Sequence, residues 1–495
     1  MRKNILIWLF IIASACGQPL ANQKKNDQKN SDVPAQLISV KDMQVDLSIL
    51  WSAIKEMHPA YGIYTSTDSL QTVYETTRQS LSVPLGESDF VSRIYPLLSA
   101  LRCGHTQLKH SAGYKNPGSA HLPFEVLVQG NRAWVTFHQT ASLNTGDEII
   151  SINDTAVNSI IAHGADLYAG DGYNLTFKEL FLSQYDGFED ACNKYYHWAP
   201  PYQVKFRAKD GNIKTILVEA VASNTPQAVE ISQTDNFAGW QEAKDTAHSL
   251  LRFSKDASTA WFEVRSYQYN DTLIFKNAFK QIHAKGVKRL VIDLRHNTGG
   301  DIRIASKLLS YLADAPYRII SDLKSRISNP AINHFEAYFD TAGTASFNAG
   351  FVPGKQEGAY YHINTRPAFG NLLGLMPLSE RDHFNGNLFV LIDGATFSAG
   401  AHTAIAIKEY CKKAVFIGRE TAGGSDGCSG GTIQHLTLPN TGVVVEFPWM
   451  RVVSVAKKPV FGHGVIPDYR VLYEPEDIVK GTDLDIKKVL NMVNK

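Results

Sequence analysis

Two short apolar runs, residues 290–294 and 387–392, each lead into a glycine-bearing turn and then into a helical pattern. The first continues as Asp293-Leu294-Arg295-His296-Asn297-Thr298-Gly299-Gly300-Asp301. The second continues as Asp393-Gly394-Ala395-Thr396-Phe397-Ser398-Ala399-Gly400-Ala401-His402. Strand, tight turn and helix in repeated succession predict an α/β fold with a largely parallel sheet. Residues 260–264 read as a further strand, and helices are expected over 277–285, 302–312 and 399–410. Between them, 322–382 is polar, aromatic and without clear period, and reads as an insert or lid.

Both turns carry chemistry-bearing residues. Ser398 falls at the start of a helix of small residues, where the first N–H groups and the helix dipole favour negative charge. That is a place for a nucleophile and its oxyanion, and equally a place for a serine that only caps the helix. Gly299 and Gly300 offer bare N–H groups to an oxyanion or a phosphate. The Gly-x4-Gly-Lys pattern of a phosphate loop is absent.

The N-terminus has a different character. Arg2 and Lys3 precede an eleven-residue apolar run, 5–15, which is too short to cross a bilayer and has the order of a secretory signal. Ala13-Ser14-Ala15 directly before Cys16 resembles a bacterial lipobox, with Ala13 where Leu is commoner. That resemblance implies cleavage before Cys16 and lipidation of it, hence a lipid-anchored protein of the bacterial cell envelope, facing the periplasm or otherwise extracytoplasmic. A plain signal peptide is the alternative. Residues 1–15 are thus an address, and 16–37 a tether too polar to fold.

Residues 38–115 follow as a helical domain, with Leu47, Leu50, Trp51, Ile54 and Met57 at spacings of three and four. Asp46 is placed to cap or charge the first helix, and His58-Pro59 ends it. Two more helices are expected over 69–81 and 89–101. Residues 116–225 change to short strands, including a hairpin at Gly130-Asn131. There Gly146-Asp147-Glu148-Ile149-Ile150-Ser151-Ile152-Asn153 resembles a strand of PDZ domains, modules that add a peptide strand to a sheet edge.

Lys and Arg total 49 against 48 Asp and Glu, a net charge of +1. This excludes the basic excess that nucleic-acid binding needs. Of the cysteines other than Cys16, Cys103, Cys192, Cys411 and Cys428 permit three disulfide pairings or stand as free buried thiols. Neither Cys-x-x-Cys nor His-Glu-x-x-His occurs, so no metal is expected.

Four signatures in order resemble the S41-type serine peptidases, the C-terminal processing or tail-specific family that includes the tricorn core protease. They are Asp293-Leu294-Arg295-x-Asn297-x-Gly299-Gly300, Thr396-Phe397-Ser398-Ala399-Gly400, Gly418-Arg419-Glu420-Thr421-Ala422-Gly423 and Gly464-Val465-Ile466-Pro467-Asp468. The helical start with His58-Pro59 and the stretch Cys103-Gly104-His105-Thr106 also look like envelope members.

The resemblance implies a crotonase/ClpP-like α/β core over 226–480, no cofactor, and a peptide or protein substrate. It implies Ser398 as the nucleophile, with the N–H of Ala399 and that of Gly299 or Gly300 as the oxyanion hole. In Ser–Lys members a Lys follows Thr-x-Gly; here that position is Gly424, and Lys408 lies about 15 Å along the helix from Ser398. The tricorn-like branch uses a His from the N-terminal segment, and His105 matches it; His402 and His463 are rivals. The Glu that this branch carries just before Gly-Val-x-Pro-Asp is missing. Glu420, Glu446 and Asp468 are candidates for the third member. The missing carboxylate also leaves open an inactive protein that binds a peptide or a lipophilic ligand on the same fold. Ser425, in Gly-x-Ser-x-Gly letters, lacks a following helix and reads as part of a flexible loop. Arg295 is placed for a structural ion pair or a substrate carboxylate. Nothing in the sequence specifies an oligomeric state.

Overall fold

The computed structural model describes residues 37–115, 121–221, 236–246, 248–328 and 335–493. The address, the tether and Cys16 lie outside the described residues. Among the described residues no helix is long and apolar enough to cross a membrane.

Three helices open the described chain: Val40–Met57, Thr67–Ser80 and Glu87–Ala100. Ser39 and Ser66 cap the first two by accepting from the N–H groups of Asp42 and Ser69. His58 ends the first helix in an extended conformation, as its Pro neighbour demands. Asp46 has a different role from the one expected. It is fully buried and accepts hydrogen bonds from Asn440 N–H, Asn440 Nδ2 and Thr441 N–H at 3.1, 2.7 and 2.8 Å. It therefore fastens the helical segment to a distant turn.

The main sheet has seven strands, in the order Tyr469–Arg470, Ala414–Gly418, Asn387–Ile392, Arg289–Asp293, Thr259–Val264, Ser249–Phe253 and Gln241–Thr246. The first five run parallel, each paired with its neighbour, and the last two antiparallel. Helices Asp271–Ala284, Ile302–Leu309 and Ala399–Tyr410 connect its strands. A second sheet joins Gln107–Lys109, Val444–Val453, Asp322–Ser325, Tyr360–Thr365 and Phe351–Glu357, with Gly427–Thr437 also on Val444–Val453. One apolar cluster runs from Met43 in the first helix through both sheets to Val465. The helical segment and the α/β core thus share a single interior.

A third sheet holds Phe124–Gln129, Arg132–His138, Glu148–Ile152, Tyr202–Arg207 and Ile213–Val218 around its own cluster. Only part of 121–221 is strand. Helices Val157–Asp166 and Thr176–Gln184 cover the sheet, and the first shows its buried face at Val157, Ile160, Ile161 and Gly164.

Segment 322–382 also departs from expectation, since it contributes three strands and the helix Thr341–Gly350 to the second sheet. Its aromatics are core: Phe339 and Phe347 pack edge-on against Trp449 at 5.2 and 5.8 Å. A register shift between Pro353 and Gln356 breaks the alternation that would have revealed the strand. Likewise the loop expected around Ser425 is short, because the strand Gly427–Thr437 begins two residues later. The four cysteines from Cys103 to Cys428 are free and buried.

Candidate active site

Strands Arg289–Asp293 and Asn387–Ile392 are adjacent and parallel, with Asp293 opposite Leu391. The turns that follow them must meet at the carboxyl end of the sheet, where open α/β sheets build their sites. They are bonded to one another. Phe397 N–H donates to the Asn297 carbonyl at 2.9 Å, and Thr396 Oγ1 to that of Leu294 at 2.8 Å. The buried Asp393 accepts from the N–H groups of His296 and Ala395 at 3.0 and 2.9 Å. Asn297 donates from Nδ2 to the Val264 carbonyl and accepts the Gly299 N–H, both at 2.9 Å.

Ser398 stands at φ 51°, ψ −125°, directly before helix Ala399–Tyr410. A positive φ is costly for a residue with a Cβ, and such strain at a strand-to-helix turn presents a side chain clear of the backbone. Its hydroxyl does not cap the helix. Instead Oγ lies 3.1 Å from His105 Nε2, a residue 293 positions earlier.

His105 is held from both sides. The strand Gln107–Lys109 pairs with Val444–Val453, with Gln107 opposite Glu446. The ring lies against Phe397, centroids 4.4 Å apart. Gly104 is required there, because a Cβ would sit 2.7 Å from the Phe397 ring. Burial pushes the imidazole down to about 4, so it is a neutral acceptor at ordinary pH. With Nε2 facing the serine hydroxyl, the ring proton belongs on Nδ1, which is buried and has no hydrogen-bond partner.

Among the described residues, no acceptor is bonded to the N–H of Ala399 or of Gly300. The N–H of Gly299 is committed to Asn297, which removes it from the expected pair of alternatives. Gly299 matters in another way: a Cβ on it would lie 2.8 Å from the Ser398 Cβ and 3.0 Å from the Ala399 nitrogen.

The three acids considered as a third member are elsewhere. Glu420 accepts from the Gly464 N–H at 2.8 Å and pairs with His463 at 3.1 Å. Glu446 pairs with Lys109. Asp468 accepts from the Phe416 N–H at 2.8 Å and faces Lys408 at 3.5 Å. His463 is thereby occupied, and the His402 ring faces Cys428, Nε2 to Sγ 3.6 Å. Ser425 Oγ donates to the Val460 carbonyl at 3.1 Å and accepts the Val460 N–H at 3.0 Å, so its hydroxyl is engaged. Arg295 is structural, bonded to Asp293 at 2.8 Å and to Asp483 at 2.7 Å.

Asp171 is what the sequence reading missed. It is 3% exposed, and Oδ1 accepts the Gly104 N–H at 2.7 Å. A carboxylate oxygen of Asp171, a ring nitrogen of His105 and Cys428 Sγ all lie within 4.8 Å of one another. Burial pushes the carboxyl up to about 7; Arg451 and the N–H groups of Gly104 and Gly424 oppose this, and Asp426 reinforces it. The signal in the sequence was Gly170-Asp171-Gly172, a turn of the kind that brings a backbone close to a neighbour. Gly172, at φ +58°, donates its N–H to the Arg102 carbonyl at 3.0 Å, locking Asp171 beside the 102–105 segment.

Residues 258–471 match the family model of peptidase family S41. The fold is similar to the crystal structure of mature CPAF: 17% identity, TM-score 0.60, covering 92% of this chain and 97% of that one. The structure of mature CPAF complexed with lactacystin matches at 17% identity and TM-score 0.60, covering 92% and 98%. The photosystem II D1 C-terminal processing protease matches at 16% identity and TM-score 0.37, covering 91% and 97%. No curated protein sequence matches the chain. The match to peptidase family S41 supports a serine-type peptidase.

Proposed function

We propose that this protein cleaves peptides or protein tails in the bacterial cell envelope through an acyl-enzyme. The observation that carries the reading is the 3.1 Å contact between His105 Nε2 and Ser398 Oγ, made by two segments 293 residues apart. As Oγ attacks the scissile carbonyl carbon, Nε2 takes its proton. The oxyanion so formed is stabilised by the N–H groups of Ala399 and Gly300. His105 then returns the proton to the leaving amine, and a water molecule repeats the sequence to release the acyl group. The experiment is covalent labelling with a fluorophosphonate followed by peptide mapping. An adduct on Ser398 is expected, and labelling of any other serine would reject the assignment.

The core is read as crotonase/ClpP-like, and 116–225 as a PDZ-like module. One of its two edge strands, Phe124–Gln129, already has its own chain as partner. Leu122, Val128 and Gly130 donate their N–H groups to Glu189, Ser183 and Glu179 at 2.7, 2.8 and 2.8 Å. In this reading the substrate strand lies along the core, beside Ser398. Cys16 is read as the lipidated residue: Cys16→Ser is expected to move the protein from the membrane to the soluble fraction, and unchanged fractionation would reject the anchor.

Gly299→Ala tests the space beside the nucleophile. Gly299 has φ +113°, so a side chain is strained there as well as crowded against Ser398. Loss of at least about 100-fold in kcat/KM is expected, the usual scale for disturbing an oxyanion hole. Hydrolysis within fivefold of wild type would show that this space is not used.

A further inference from the structure

We propose that Asp171 is the positioning residue for His105, a carboxylate supplied from the connection between helices Val157–Asp166 and Thr176–Gln184 of the small-sheet domain rather than from the peptidase core. The proposal rests on the peptidase reading above. Two buried polar atoms lack partners at this place, His105 Nδ1 and Asp171 Oδ2. One is a proton donor once Nε2 faces the serine, and the other is an acceptor. Leaving both unpaired away from water costs more than either hydrogen bond is worth. A ring nitrogen of His105 and a carboxylate oxygen of Asp171 lie no more than 4.8 Å apart. With the two side chains this close, one water molecule can join Nδ1–H to Oδ2.

The other acids near Ser398 are committed. Glu420 is held by His463 and Gly464, Glu446 by Lys109, and Asp426 by Arg451 and Tyr64. Asp171 Oδ1 is meanwhile fixed by the N–H of Gly104, the residue directly before His105. Carboxylate and imidazole are therefore locked to the same two residues of backbone. An acceptor on Nδ1–H fixes the tautomer that leaves Nε2 free for the serine proton, and it stabilises the imidazolium that forms.

The charged and titratable groups around the pair are Arg451, Asp426, Tyr64, Cys103 and Cys428 about Asp171, and His402 beside His105. Arg451 is the cation among them and favours the ionised carboxylate. In wild type, kcat/KM is then expected to rise with pH as Asp171 ionises near 7. In Asp171→Asn that step is absent, so the acid limb moves down toward 4, where His105 itself protonates.

The test compares Asp171→Asn and Ser398→Ala with wild type in kcat, KM, pH profile and melting temperature. Asp171→Asn is expected to lower kcat about 10²- to 10⁴-fold with KM and melting temperature little changed, and to lose the limb near 7. A kcat within threefold of wild type, or an unmoved acid limb, would overturn the proposal. If Ser398→Ala also kept activity, the peptidase reading itself would fail. Proton NMR of wild type provides a check that needs no variant to fold. A downfield, exchange-protected His105 Nδ1–H is expected, and a freely exchanging one would overturn the proposal. So would stoichiometric zinc in the purified protein, lost in both Asp171→Asn and Cys428→Ala, since the cluster would then be a metal site.

Discussion

Ser398→Ala is expected to lower peptide hydrolysis by on the order of 10⁵- to 10⁶-fold, and His105→Ala by a similar factor. The two losses should not add. Ser398 without a base is a weak nucleophile, and His105 without the serine has no proton to take, so the double variant should match either single one. Folding should survive both changes. Ser398 is a strained residue whose hydroxyl does not cap its helix, so Ala removes a function and no structural bond. Removing the His105 imidazole leaves a partly open space beside Phe397, at a modest cost in packing. The measurement is kcat on a peptide substrate together with the melting temperature of each variant. Additive losses would mean that the two residues do not act as a unit. A Ser398→Ala protein with wild-type turnover would remove the proposed mechanism outright.

The α/β core could be read from the sequence because its strands are continuous apolar runs. Strands covered on both faces need no alternation, and 387–392 was placed to the residue. The Ser398 and glycine turns followed from chain order, and His105 from resemblance. Elsewhere the local signals were overridden. The helix Thr176–Gln184 has Leu175 rather than a capping residue directly before it, and the strand Phe351–Glu357 carries Pro353 and Gly354, which argue against a strand. Asp46 looked like a helix-charging residue because its partners, Asn440 and Thr441, are nearly 400 positions away. The same limit hid Asp171. Nothing near it in sequence is catalytic, and only the fold sets it beside Gly104 and His105. A carboxylate just before Gly464 would lie in the core, whereas Asp171, with Oδ2 unpartnered, stands in another segment.

Arg451→Met is the substitution expected to cost the most stability. Arg451 Nη2 donates to Asp426 Oδ2 at 2.7 Å and to the Tyr64 hydroxyl at 2.8 Å, and Tyr64 donates to the same carboxylate oxygen at 3.0 Å. The guanidinium is 8% exposed and the Asp426 carboxylate 16%. Tyr64 belongs to the helical segment, Asp426 to the loop after Gly418, and Arg451 to the central strand of the second sheet, so the triangle joins three parts of the molecule. Met keeps much of the volume and removes the charge. Asp426 is then left buried without its cation, with Oδ1 already lacking a partner. Breaking such a pair from one side costs about 3–5 kcal/mol. The loss should be largely recovered in the double variant Arg451→Met, Asp426→Leu, because the penalty lies in the stranded charge rather than in the missing bond. Denaturant unfolding of the four proteins checks this cycle, and a single-variant cost below about 1 kcal/mol would show the network to be solvated. Activity should separate from stability. In Arg451→Met, Asp171 loses the one cation that favours its ionised form while Asp426 stays to oppose it, so the pH at which hydrolysis switches on should rise. In the double variant the raising charge of Asp426 is gone as well, so the threshold should return toward that of wild type. A threshold that did not move in the single variant would mean that Arg451 serves the fold alone.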